Sequence, residues 1–136
     1  MRDPLSELPG YRLRRASAAM LGDLAHRLEP VALTPVEASV ILLIGSNQGL
    51  TQSAIGRALG IQRANMAPLI ARLEARGLLA RKPADGRSHT LSLTPAGHSI
   101  HDAVAQITAE HEAQLLDRIA PEDRPGFLRA LDRLWQ

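Results

Sequence analysis

After a polar start, Leu13, Ala16, Met20, Leu21, Leu24 and Leu28 recur at helical spacing, which predicts an amphipathic helix over roughly Tyr11 to Leu28. Pro30 ends it. Thr34-Pro35-Val36-Glu37 then reads as a capping box with proline at the first helical position, where its missing N–H costs nothing. A second helix should therefore run from Pro35 to about Ser46, and its all-apolar centre, Val40 to Ile44, implies burial. Gly49 breaks the pattern. Thr51 is placed to cap a short third helix with apolar positions Ile55, Ala58 and Leu59, stopped by Gly60.

Ile61 re-enters the core, and Met66, Leu69, Ile70 and Leu73 make an i, i+3, i+4, i+7 stripe for a fourth helix ended by Gly77. Pro68 lies inside that stripe. Leu78 to Pro83 and Ser88 to Leu93 read as paired strands, because Ala84-Asp85-Gly86 forms a turn and Leu91 and Leu93 alternate with Thr90 and Ser92. Thr94-Pro95 repeats the cap and proline signal, opening a long helix with Ile100, Val104, Ile107, Leu115 and Leu116 and an end near Ile119. A last helix is expected from Pro121, with Phe127, Leu128, Leu131, Leu134 and Trp135 on its apolar side and a first turn weakened by Pro125 and Gly126.

Composition narrows the class. At 136 residues the chain suits one domain over residues 1–136, large enough to bury a core unaided. It has no cysteine, hence no disulfide framework and no thiolate nucleophile. No stretch approaches the ~20 apolar residues of a membrane span, and no leader pattern is visible, so the cytoplasm is the expected location and no membrane partner is expected.

Formal net charge is only +2, but its distribution is uneven. Between Arg57 and His89 seven basic residues (Arg57, Arg63, Arg72, Arg76, Arg81, Lys82 and Arg87) face only Glu74 and Asp85, a local excess of +5. A basic centre between more acidic flanks is the footprint of a polyanion partner, although a solvated charged face explains the same charges.

A helix, a glycine turn, a second helix and a β-hairpin follow the order of a winged helix-turn-helix, whose second helix enters the DNA major groove. The chain resembles the MarR family (multiple antibiotic resistance regulators) over roughly Leu13 to Trp135. The residues that carry the resemblance are LTPVEASVILLI before the motif, LTQSAIGRALGI for its first helix, LIARLEARGLLAR for the end of the second, DGRSHTLSLTPAG for the wing and IAPEDRPGFLRALDRLW at the end. The resemblance implies a mainly α (α+β) fold, a winged helix-turn-helix with long N- and C-terminal dimerisation helices. The DNA-binding core would span about residues 34–93 and the helical dimerisation region about residues 11–29 and 95–136. It further implies a homodimer on a near-palindromic operator of double-stranded DNA, usually a repressor, often released by a small ligand.

At ~100° per residue the buried stripe of the fourth helix leaves Ala64, Pro68, Ala71 and Ala75 on the opposite face. Asn65 and Arg72 share one shoulder, suited to reading adenine or guanine or to holding a phosphate, and Arg63 lies nearer the other edge as a phosphate contact. Thr51, Gln52 and Ser53 offer hydroxyls, an amide and backbone N–H groups to a phosphate, although capping alone explains Thr51. At the wing, Asp85-Gly86-Arg87 resembles the family's acidic-x-arginine tip, whose arginine enters the minor groove. Asp85 either orients Arg81 or simply forms the turn. The family's second acid is replaced here by Ser88.

Proline inside a helix removes a bond to the carbonyl four residues back, that of Ala64. Either the helix starts late, with Asn65 as its cap, or it starts near Gln62 or Arg63, as the resemblance implies. In the second case the freed carbonyl and the ring face the groove.

The resemblance also places effectors between the first two helices and the long fifth one, with Met20, Leu24, Ile41, His98 and His101 as lining, although core packing explains the apolar members. His98, His101, Asp102 and His111 offer imidazole and carboxylate ligands, but surface histidines account for them, and neither metal nor cofactor is expected. No phosphate loop, Gly-x-Ser-x-Gly or His-Glu-x-x-His is present, so an enzyme is not expected. The alternative that survives is a winged DNA-architectural or protein-interaction module without operator specificity.

Overall fold

Proline and threonine set most of the helix boundaries in the computed structural model, which describes residues 1–136. Helix α1 spans Pro9–Arg27, beginning earlier than Tyr11 because Pro9 takes the first helical position, where its fixed φ suits the turn. Helix α2 spans Pro35–Ser46 with the capping box in place: Glu37 N–H donates to Thr34 Oγ1 at 3.2 Å and Thr34 N–H donates to Glu37 Oε2 at 2.9 Å. Strand β1 (Leu50–Thr51), helix α3 (Gln52–Leu59), helix α4 (Arg63–Ala75), strands β2 (Leu79–Pro83) and β3 (His89–Leu93), helix α5 (Pro95–Asp117) and helix α6 (Arg124–Trp135) follow.

Two details depart from the expected pattern. Pro121–Asp123 is a separate 3-10 turn, so α6 begins at Arg124 with Pro125 inside its first turn, where no N–H is needed. Leu50–Thr51 adds a third strand, giving the order β1-β3-β2 with Leu50 opposite Leu91 and Leu79 opposite Leu93, both pairs antiparallel. Two residues are too few to show alternation in a sequence.

The core is aliphatic and sits where α2, α4, the sheet and the middle of α5 meet. Val40, Ile41 and Ile44 of α2, the whole stripe Met66, Leu69, Ile70 and Leu73 of α4, Leu79 and Leu91 of the sheet and Val104 of α5 are buried together. By contrast, α6 buries no residue. Leu8 at the N-cap of α1, Leu13 and Leu21 within it, and Leu128, Leu134 and Trp135 of α6 stay exposed.

Candidate nucleic-acid interface

The helix-turn-helix is set by glycines and one cap. Thr51 Oγ1 accepts from Ala54 N–H at 3.2 Å and fixes the start of α3, so its hydroxyl oxygen already serves the helix. Gly60, at φ +65, ends α3 in the left-handed region that favours glycine. Gly56 is buried, and a Cβ there would press on the Met66 side chain and the Ile61 carbonyl, so the missing side chain is what lets α4 lie close against α3. Between the helices lies an open cleft of about 520 Å³ on which Gln52, Ser53, Arg57, Gln62 and Arg63 converge. Arg57 and Gln62 had no site role in the sequence reading. The outward face of α3, opposite buried Ile55, was the signal for Arg57.

Helix α4 starts at Arg63 with Gln62 as its cap, which decides between the two starting points left open above. Pro68 is therefore interior and exposed, with Ala64, Ala71 and Ala75 exposed beside it. Asn65 is exposed on the shoulder. Arg72 is not simply free there: its Nε donates to Glu37 Oε1 at 3.2 Å, tying α4 to the start of α2. Arg76 sends both terminal nitrogens into the turn before α2, donating to the Val31 carbonyl at 2.9 Å and the Ala32 carbonyl at 2.6 Å, which makes it a structural arginine.

The wing is β2, β3 and the turn between them, with Arg87 exposed at its tip. Arg81 does not pair with Asp85. Its Nε donates to Glu74 Oε1 at 2.8 Å, joining β2 to α4, while the Asp85 carbonyl accepts from Ser88 Oγ at 2.8 Å, so the turn reading of Asp85 is the one the geometry favours. Of the seven basic residues, only Arg72 and Arg81 are held by carboxylates. Arg57, Arg63, Lys82 and Arg87 are exposed and held by no carboxylate, and Arg57 and Arg63 share the α3–α4 cleft.

The chain's relatives carry the same architecture. A family model described as MarR family matches residues 33–88. The transcriptional regulator HosA of Escherichia coli is 30% identical over 104 residues, 75% of this chain and 77% of that protein. The transcriptional repressor CouR, solved bound to a 23-mer DNA duplex, is 38% identical with a TM-score of 0.88, covering 97% of this chain and 95% of that one. CouR bound to p-coumaroyl-CoA gives 35% identity and a TM-score of 0.89, covering 98% and 96%. The chain belongs to the MarR family of transcriptional regulators.

In this MarR-family chain the five residues expected to line an effector site do not share one cavity. Ile41 is completely buried in the core and Leu24 packs against it, so both act as packing residues. His98 is exposed on α5, and the His101 ring lies over Gly45 of α2, where a Cβ would collide with it. Met20 does line a cleft of about 230 Å³ between α1 and α5, with Ala16, Ala19, Asp23, His111, Gln114, Leu115 and Arg118.

His111 is not a surface histidine, being only 3% exposed. Its Nε2 donates to the Met20 carbonyl at 3.2 Å, and its buried Nδ1 has no hydrogen-bond partner, with the Glu112 carboxylate 3.7 Å away. Beside it, the hydrogen bond from Arg27 Nε at 2.8 Å holds the Asp23 carboxyl below its ordinary range. His111 is far along α5 from His98 and His101, and no three His, Asp or Glu side chains gather as a metal site.

Proposed function

We propose that the chain acts as a homodimeric repressor that binds a near-palindromic operator and is released by a small ligand. The observation that carries this reading is the α3–α4 cleft on which Gln52, Ser53, Arg57 and Arg63 converge, together with an exposed outward face of α4 and an exposed Arg87 at the wing tip. Gln52 and Ser53, with Thr51 behind them as the cap, would hold a phosphate, and Arg63 another. Ala64, Asn65, Pro68 and Arg72 would face base edges in the major groove, and Arg87 would enter the minor groove. That a similar repressor has been solved on duplex DNA supports the reading.

The exposed leucines of α1 and the unburied apolar side of α6 support a dimer, because such surface in a small chain calls for a covering partner. Two-fold symmetry would set the two copies of α4 about one DNA turn apart, ~34 Å. For the ligand, the α1/α5 cleft offers an apolar wall of Ala16, Ala19, Met20 and Leu115 edged by Asp23, Gln114 and Arg118, chemistry that fits a small amphipathic molecule. The p-coumaroyl-CoA complex of CouR supports a ligand-responsive protein.

The deciding experiment maps the protected sequence upstream of the chain's own gene and titrates that duplex against random DNA of equal length at one salt concentration. A repressor should prefer its operator by at least about a thousandfold. Equal affinities would instead identify an architectural module.

A further inference from the structure

We infer that Glu37 is a positioning residue for the DNA contact of Arg72, an inference that rests on the DNA-binding reading above. Glu37 looks like an ordinary capping-box acid, yet the cap occupies only its Oε2, which accepts from Thr34 N–H at 2.9 Å. Its other oxygen accepts from Arg72 Nε at 3.2 Å, across 35 residues of sequence. The two side chains differ sharply in exposure, 10% for Glu37 and 58% for Arg72. A carboxylate fixed at the rigid start of α2 thus grips an arginine that stands on the shoulder of the proposed reading face.

What the grip leaves free is the reason to connect it with DNA. A guanidinium is a planar fork with five N–H donors, and engaging Nε fixes its plane while leaving the donors on both terminal nitrogens unused. Neighbouring Arg76 shows the contrasting use, because both of its terminal nitrogens are taken by the carbonyls of Val31 and Ala32. No protein acceptor takes those of Arg72. A flexible arginine must give up side-chain freedom when it docks, and one held at Nε has less to give up and only a narrow range of directions in which to donate. Since the Glu37 charge offsets that of Arg72, the pair contributes direction rather than net charge, which is what recognition of a base edge requires.

The test is a double-mutant cycle on operator DNA with Glu37→Gln, Arg72→Ala and the pair together, each checked for folding by thermal denaturation. The single amide oxygen of Gln cannot serve the cap and Arg72 together, while the side-chain shape is kept. Each single substitution should weaken operator binding about tenfold, with the double no weaker than Arg72→Ala, as expected when both remove one base contact. In a randomised-operator selection, Glu37→Gln and Arg72→Ala should relax the preference at the same base position, and Arg72→Lys should not restore it. Independent, multiplying losses, an unchanged or increased affinity for Glu37→Gln, or full rescue by Arg72→Lys would overturn the positioning role. If the unaltered protein still prefers its operator in those cases, the DNA-binding reading stands alone; if it shows no preference, both fail.

Discussion

Pro68 occupies the sixth position of α4, beyond the first turn in which a missing N–H goes unnoticed. The Ala64 carbonyl therefore loses its helical donor, and Ala64 and Pro68 are both exposed residues of the helix. Replacing Pro68 by Ala should restore the bond and stabilise the free protein by up to about 3 kcal/mol, read by urea denaturation. If the freed carbonyl or the ring meets a base, the same variant should shift base preference in an operator selection, and an unaltered preference would remove Pro68 from the reading face. Arg87 makes a different claim, because its contribution is charge at the wing tip. Arg87→Ala should weaken binding to all sequences and lower the salt slope of log K by about one unit or less. An unchanged slope would sink the wing assignment. The identity of these two residues was plain in the sequence, as was the turn that exposes Arg87, whereas the pairing of Arg81 with Glu74 was not, since it joins a strand to a helix face seven residues away.

At the scale of elements, the junction between the wing and α5 depends on a glycine. Thr94 caps α5 through Gly97 N–H at 3.0 Å and its own N–H donates to the Leu78 carbonyl at 3.1 Å, which locks the start of α5 to the start of β2. Gly97 is buried against that same carbonyl, and a Cβ would run into backbone that has nowhere to move. Gly97→Ala should destabilise the fold by about 1–3 kcal/mol, measured as a lowered urea midpoint, despite the better helix propensity of alanine. Capping boxes, prolines and periodic stripes made the helices legible, because they are local signals written within a few residues. Strand β1 was not legible, because two residues become a strand only when β3 lies beside them. The same holds for the last helix, whose expected first turn became a separate 3-10 turn once Arg124 turned back to donate to the Leu116 and Ile119 carbonyls at 3.1 Å.

Across the whole molecule, the buried core lies in the winged region, the middle of α5 and the α1–α2 connection at Leu28 and Leu33, while Leu13 and Leu21 of α1 and Leu128, Leu134 and Trp135 of α6 stay exposed. The proposed homodimer would cover them, so Leu128→Asp with Trp135→Asp should convert a dimer to a monomer in light scattering at micromolar concentration and weaken operator binding with it. An unaltered mass would show that α6 covers something else. The sequence alone determined the order of helices, turn and hairpin, the buried stripe of α4, the concentration of basic residues in the motif and the resemblance that joins them, because each is fixed by neighbours along the chain. Tertiary structure decided what those residues do with one another. It spent Arg76 on carbonyls, gave Arg72 to a buried Glu37, buried His111 against α1 and made Ile41 core rather than lining. A side chain's partner depends on which distant elements reach it, and periodicity carries no information about that.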